Sequence, residues 1–273
     1  MVIFPNCKIN LGLRILRKRA DGFHDLETIF YPIPLTDVLE IVRREGNTQC
    51  HISGLPVSGP PESNLCLRAW HLLKKDFPSL PAVDIYLHKV LPMGAGLGGG
   101  SSDGAFQLRL LNEKFHLQLS PQTLKDYALQ LGSDCPFFID NVPSFGTGRG
   151  EALEPVKLDL SQYYITLIHP GIHVNTGWAF SQLQLNNINS YALLDIIQRP
   201  ISEWKDNLVN DFEIPVFKQF PEIEAIKQQL YDSGAIYASM SGSGSTIFGL
   251  FERPTPLSIN FPEHYFVREN LKL

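Results

Sequence analysis

At 273 residues and 44% hydrophobic side chains, the chain is long enough to bury one large core or two compact ones without disulfide staples. Its 23 Lys and Arg against 28 Asp and Glu leave a net charge of −5, which argues against a basic nucleic-acid footprint, and no apolar run approaches the roughly 20 residues of a membrane helix. Cys7, Cys50, Cys66 and Cys135 form no C-x-x-C pair, and Met1 to Asn6 shows no charged segment leading into an apolar one, so reduced thiols and a cytoplasmic location are expected.

Lys8 to Leu16 alternates, with Ile9, Leu11, Leu13 and Ile15 on one side and Lys8, Asn10, Gly12 and Arg14 on the other, which predicts a strand. Asp21-Gly22 supplies turn chemistry before a second strand over Phe23 to Ile33. The cluster Arg14, Arg17, Lys18 and Arg19 reads either as a solvated turn between the two strands or as a phosphate-facing patch. Val38 to Arg43 and Thr48 to Ser53 predict a hairpin around Glu45-Gly46-Asn47. Ser63 is expected to cap a helix reaching Asp76, whose core stripe is Leu65, Ala69, Leu72 and Leu73. A strand over Val83 to Val90 then runs to the glycine loop.

That loop, Pro92 to Ala105, places five glycines in the seven positions from Gly94 to Gly100. Each glycine permits φ > 0 and lets a ligand reach the backbone without meeting a Cβ. A helix is predicted over Ser101 to Asn112, with Ser101, Ser102 and Asp103 at its start as caps or as metal contacts, capping being the reading favoured for Asp103. Unpaired N–H groups and the positive end of the helix dipole converge there, an arrangement that suits phosphate. Gly94, Gly96 and Gly99 satisfy G-x-G-x-x-G, but Pro92 separates them from the preceding strand, so the dinucleotide fingerprint does not apply. No Gly-Lys-Ser/Thr closes the loop as in a Walker A motif. A plain flexible linker would not run straight into a capped amphipathic helix.

Ser120-Pro121 starts a helix that ends at Leu131 before Gly132. Asp134 follows on a tight connection, where a turn or capping role is the ordinary one. Gly146 to Glu151 is a glycine-rich break, and the domain boundary is expected just beyond it, giving domains 1–152 and 153–273. The second half opens with a strand over Tyr164 to His169. Val174 to Phe180 follows as a loop entering a helix, and further helices are predicted over Tyr191 to Ile197 and Glu222 to Tyr231. Pro170 and Gly171 break the i, i+4 relation of His169 and His173, which argues against a metal site. The run Ala238 to Ser245, before a strand over Thr246 to Phe251, either wraps the first loop or makes a hairpin turn, and Arg253 to Pro256 links to a C-terminal strand.

In order along the chain, Lys8 to Leu11, Pro92 to Ala105 and Ser241 to Thr246 resemble the three motifs of the GHMP kinases, a superfamily that includes galacto-, homoserine and mevalonate kinases. Arg19 to Thr28, Leu131 to Phe138, His169 to Gly171 with Thr176 and Phe180, and Asn210 to Glu213 are most similar to the branch acting on a cytidine-diphosphate conjugate of methylerythritol. The resemblance implies transfer of the ATP γ-phosphate, with Mg²⁺, to the 2-hydroxyl of that small molecule, a step of non-mevalonate isoprenoid synthesis. It implies a two-domain fold, an N-terminal α/β domain like ribosomal protein S5 domain 2 and a ferredoxin-like α+β C-terminal domain. No nucleic-acid or membrane partner is expected, and the enzyme would be a monomer or homodimer.

By the same resemblance, Asp134 matches the general base and Lys8 the lysine beside it, where an ammonium favours the charged carboxylate and stabilises charge during transfer. Pro92, Met93, Gly94, Ala95, Gly96, Leu97, Gly98, Gly99, Gly100, Ser101 and Ser102 would hold the triphosphate, and Asn64 would contact the adenosine. Phe23 and Phe180 would sandwich the cytosine, His24 would read its polar edge, and Asn10 and Thr176 would line the substrate pocket. Cys7, Phe23 and Gly104 stand where the family usually has Ala, Tyr and Ala. A GHMP kinase of other specificity would share Lys8, Asp134 and the loop without needing Phe23, His24 and Phe180. A non-catalytic nucleotide- or RNA-binding module is the reading outside the enzymes.

Overall fold

The computed structural model describes residues 1–183, 192–257 and 261–273. In chain order the described strands and α-helices begin with β1 (Val2–Ile3), β2 (Asn6–Lys18), β3 (His24–Thr36), β4 (Val38–Arg43), β5 (Gln49–Gly54), α1 (Leu65–Asp76) and β6 (Val83–Lys89). There follow α2 (Gly99–Lys114), α3 (Pro121–Leu131), α4 (Phe137–Asp140), β7 (Ser144–Thr147), β8 (Ala152–Pro155) and β9 (Tyr164–His169). The rest are α5 (Thr176–Ser181), α6 (Leu193–Ile197), α7 (Glu213–Gln219), α8 (Pro221–Asp232), β10 (Tyr237–Met240), β11 (Ile247–Phe251) and β12 (Phe266–Lys272). Among the described residues no helix is long and apolar enough to cross a membrane.

Two compact units divide the chain, and each is assembled from separate segments. The first comprises Met1–Lys8, Leu35–Met93 and Gly98–Val142, and it holds a sheet in the order β1-β4-β6-β5. The expected hairpin between β4 and β5 does not form. β6 lies between them, antiparallel to β4 and parallel to β5. Val83, Ile85 and Leu87 of β6 are buried, and a strand with so apolar a face is the one a sheet places centrally. Cys66, Ala69 and Leu73 of α1, Ala105 and Leu108 of α2, and Leu124, Ala128 and Leu131 of α3 are buried in the same unit. A Cβ on Gly104 would stand 2.9 Å from the Leu65 Cβ, so glycine at this position lets α2 approach α1 closely.

The helix ends in this unit follow from backbone and side-chain capping. Ser120 Oγ accepts from Thr123 N–H at 3.1 Å, Pro121 occupies the first turn, and α3 ends before Gly132, all as expected. Asn64 caps α1 in place of Ser63, its Oδ1 accepting from Cys66 N–H at 2.9 Å, while the Ser63 hydroxyl donates to Pro60 O. Nor do Ser101, Ser102 or Asp103 cap α2. The helix starts two residues earlier, at Gly99, because Gly98 takes a left-handed φ of 71° and turns the chain as N-cap without any side-chain bond.

The second unit comprises Ile9–Pro34, Gly94–Leu97 and Pro143–Leu273. Most of the sheet ordered β2-β3-β7-β8 and all of the sheet ordered β10-β11-β9-β12 belong to it, the latter antiparallel throughout. Its core joins Leu13 and Ile15 of β2 to Ile168 of β9, Phe212, Val216 of α7, and Ile223, Ile226 and Leu230 of α8. α7 is not evident in the sequence, since Pro215 lies inside it and Ile214 stays 80% exposed. Of the helix expected over Tyr191 to Ile197, Tyr191 lies outside the described residues, Ala192 is extended, and α6 carries the remainder. Arg17 pairs with Asp25, and Arg19 with Asp21 and Asp25, the arrangement of a solvated turn.

Candidate functional site

The first unit holds the two ends of the glycine loop, Pro92 and Met93 on one side and Gly98 to Ser102 on the other. The leading N–H groups of α2 have no side-chain cap, which leaves them available to an anion. A Cβ on Gly98 would meet the Phe138 ring at 3.0 Å and Lys8 Cε at 3.1 Å, so the bare backbone here is packed against the Lys8 side chain.

Lys8 Nζ lies 3.4 Å from Asp134 Oδ2. The lysine side chain is 4% exposed and the aspartate 35%, so the pair has a buried cationic side and an accessible anionic one. β2 places Lys8. The turn between α3 and α4 places Asp134, with Cys135 N–H closing back on Gly132 O at 3.1 Å. Burial pushes the neighbouring Cys135 thiol up to about 12, against the opposing bond from Ser101. The chemistry available is a carboxylate that can accept a proton beside an ammonium that can steady developing negative charge.

A cavity of about 290 Å³ opens in the same unit between Ile52, Val57, Leu65, Leu87, Met93 and Asn64. Its apolar walls and few polar groups suit a flat heterocycle. Gly100 and Asp103 also line it, and Asp103 is buried. Burial, reinforced by Asp37, pushes Asp103 up to about 8 despite the pull of Lys89.

In the second unit, Gly94 to Leu97 meets the Gly/Ser run. The Ser241 hydroxyl donates to Gly96 O at 2.8 Å, and Thr246 N–H donates to Ala95 O at 3.2 Å. The run therefore does both things foreseen for it, wrapping the first loop and joining β10 to β11 as an antiparallel pair. A Cβ on Gly96 would fall 2.0 Å from Ser241 O, which excludes any other residue at this contact. Asn10 is buried here, its Nδ2 donating to Thr28 Oγ1 at 2.9 Å and its backbone N–H to Ser241 Oγ at 3.2 Å.

Thr176 and Ser243 share a hydroxyl bond of 3.0 Å. The rings of the expected cytosine sandwich have other partners in the structure. Phe180 stacks on His24 with centroids 4.6 Å apart, and the Arg149 guanidinium lies 4.8 Å over Phe23, which is 52% exposed. Burial, with Lys18 nearby, lowers the His24 pKa. Phe180 also packs edge-on to Phe212, which orients its ring.

Sequence reasoning quoted Asn210 to Glu213 without giving these residues a task. Asn210 Nδ2 donates to Met240 O at 2.7 Å and Gly242 O at 2.8 Å. Glu213 accepts from Met240 N–H at 2.8 Å and Ser239 Oγ at 3.0 Å, and Lys227 pairs with its other oxygen. Together they brace the Gly/Ser run from behind. Arg149 was missed as well, its only signal being its place in a glycine-rich turn. His169, read as no metal ligand, accompanies Ser245 instead. Ser245 Oγ has one proton, given to Ile172 O at 2.5 Å, so it accepts from the His169 Nδ1–H at 3.0 Å. Among the described residues no cluster of metal-ligating side chains occurs.

The chain matches the family described as GHMP kinases N terminal domain over residues 64–149, and GHMP kinases C terminal over 192–258. It is 55% identical over 254 residues to the 4-diphosphocytidyl-2-C-methyl-D-erythritol kinase of Bacteroides fragilis, covering 92% of both chains. To the protein of the same name from Azobacteroides pseudotrichonymphae genomovar. CFP2 it is 49% identical, covering 98% of this chain and 100% of the relative. Among solved structures it resembles a 4-(cytidine 5'-diphospho)-2C-methyl-D-erythritol kinase, with a TM-score of 0.79 and 32% identity over 93% of this chain and 91% of the other. A mevalonate kinase structure shares the fold, with a TM-score of 0.70 at 13% identity over 92% and 91% of the two chains.

Proposed function

The chain belongs to the GHMP kinase family, with that family's two-domain fold, and from this premise we propose that it phosphorylates the 2-hydroxyl of 4-diphosphocytidyl-2-C-methyl-D-erythritol with ATP. The product is the 2-phosphate, with ADP, within non-mevalonate isoprenoid synthesis. The observation that carries the reading is the Lys8–Asp134 pair, with the Lys8 side chain packed against the bare backbone of Gly98. Asp134 accepts the proton of the substrate hydroxyl as the oxygen attacks the γ-phosphorus, and Lys8 offsets the negative charge on the transferring group. The family uses ATP as phosphate donor. Pro92 to Ser102 holds its phosphates, and the cavity beside Asn64 takes its adenosine.

Ser102 Oγ is buried and has no hydrogen-bond partner among the described residues, so the head of α2 offers a hard oxygen that suits Mg²⁺. Ser102 would help hold Mg²⁺ beside ATP, where the ion would supply charge neutralisation during transfer. His24, Phe180 and Phe23 form the cytosine pocket, with Asn10 and Thr176 toward the rest of the substrate. We place the boundary between the family's two matched domains near 152, between the matched stretches, although by packing Ile9–Pro34, Gly94–Leu97 and Pro143–Leu273 form one unit. A cytoplasmic monomer or homodimer acting on this small molecule, without nucleic acid or membrane, completes the reading, and the four free cysteines accord with the compartment.

The test is ADP release from ATP and Mg²⁺ with the cytidine-diphosphate conjugate beside homoserine, mevalonate and galactose, for wild type and Asp134→Ala. Turnover with the conjugate alone, lost in the variant, is the expected result. Turnover with another alcohol would overturn the cytosine pocket and keep the kinase. ATP binding without turnover on any of them would favour a non-catalytic nucleotide-binding module.

A further inference from the structure

One buried ionic cluster in the first unit has no part in the chemistry above. Lys89, at the end of β6, directs Nζ to Asp103 Oδ2 at 2.7 Å and also to Asp37 Oδ2. The three side chains are 0%, 4% and 0% exposed in that order. Asp37 sits between β3 and β4, and its second oxygen accepts two backbone bonds, from Val90 N–H at 2.5 Å and Leu91 N–H at 2.9 Å. A Cβ on Gly99 would stand 3.5 Å from Lys89 Nζ, so the ammonium lies directly beneath the first residue of α2.

The placement is informative because of what the three residues hold. Val90 and Leu91 are the last residues before the glycine loop, and Gly99 and Asp103 belong to the helix that leaves it. Lys89 and its two carboxylates therefore fasten both ends of the loop to each other. Three ionisable groups are a costly way to fill a core, since apolar residues of the same volume usually serve stability as well. A loop rich in glycine has no side chains of its own with which to fix its span.

We propose that Lys89 and Asp37 are positioning residues for nucleotide binding, setting the separation between the entry of the glycine loop and the head of α2 to the width of the nucleotide phosphates. The inference rests on the kinase reading and adds to it the device that shapes the loop. Neither residue lines the cavity, so each acts through the backbone it holds.

Asp37→Asn keeps the volume, yet no orientation of the amide can accept from both the ammonium and the two N–H groups. Lys89→Met with Asp37→Leu removes the cation and the carboxylate that grip the loop's entry with side chains of similar bulk, and because Asp103 then lacks its cation the urea midpoint checks that the core stays folded. The readouts are Kd for ATP, Kd for CDP and the urea unfolding midpoint. A displaced loop end weakens ATP by at least about tenfold in both variants, leaves CDP within about threefold and leaves kcat at saturating ATP largely intact. A folded variant that binds ATP like the wild type would overturn the proposal, as would failure of both variants to fold, which would make the cluster a requirement of the core alone. Wild-type protein that binds no ATP would instead overturn the kinase reading, and this inference with it.

Discussion

Lys8 and Asp134 meet at 3.4 Å with unequal access to solvent, the ammonium enclosed and the carboxylate open. A base must reach an incoming hydroxyl, whereas a charge-stabilising cation gains strength from exclusion of water. Asp134→Asn should therefore lower kcat by about 10²–10⁴-fold while Kd for ATP stays within a few-fold. Rapid-quench measurement of ADP formation alongside calorimetric ATP binding checks both, and a variant with near wild-type kcat would remove Asp134 from the role of base.

Gly96→Ala should be among the most damaging single changes in the chain. Its Cβ would collide with Ser241 O, and the residue also holds φ at +81°. Gly22 has φ at +87° but nothing within 4 Å of an added Cβ, so Gly22→Ala isolates the backbone strain. Urea unfolding should show a loss of about 1–2 kcal/mol for Gly22→Ala and at least about 3 kcal/mol for Gly96→Ala. Equal losses would mean that the contact with Ser241 is not maintained.

His24→Ala and Phe180→Ala each remove one ring of the observed stack. Stacking of a base on an aromatic side chain contributes about 1–3 kcal/mol, so KM for the cytidyl substrate should rise roughly 5- to 150-fold with KM for ATP unchanged. Steady-state kinetics with each substrate varied in turn decides this. A rise confined to ATP would reassign the stack.

His169 gives the protein a pH-dependent stability. Burial, with a contribution from His173, lowers its pKa to about 4, against an ordinary value of 6.5. The unfolded chain binds the proton more tightly, so this contribution is complete above pH 6.5 and is lost as pH falls toward 4, amounting to roughly 3 kcal/mol across that window. His169→Asn retains an N–H donor for Ser245 and lacks the titration. Urea unfolding at pH 7 and pH 4.5 should show the wild type losing more stability than the variant, and parallel losses would exclude His169 as the source.

Much of the local structure was legible because its chemistry is local. Ser120-Pro121 and Gly132 mark the ends of α3, the alternation of Val38 to Arg43 marks β4, and Tyr164 to His169 marks β9, each at the residue observed. Strand partners were not legible. Glu45-Gly46-Asn47 offers hairpin chemistry, but β6 pairs with both flanking strands and outcompetes the local closure. The loop's glycines were read as a cradle for an anion, and Lys8 and Asp134, singled out by family resemblance, stand together in the fold. Asp37 and Glu213 were invisible as buried groups, since a carboxylate in sequence looks like surface until its partners are in place. The resemblance put His24 and Phe180 in one pocket, but it did not foresee that their rings stack directly on each other.

The four thiols are unequally enclosed. Cys7, Cys66 and Cys135 are buried, whereas Cys50 is partly accessible and lies on the wall of the 290 Å³ cavity. Alkylation of the native fold is thus confined to one address, although burial raises the Cys50 pKa to about 11 and slows the reaction. The natural polypeptide carries its own occupancy gauge. The rate at which iodoacetamide consumes Cys50, followed by intact-mass spectrometry, should drop when a molecule fills that cavity, with no dye, tag or engineered residue required.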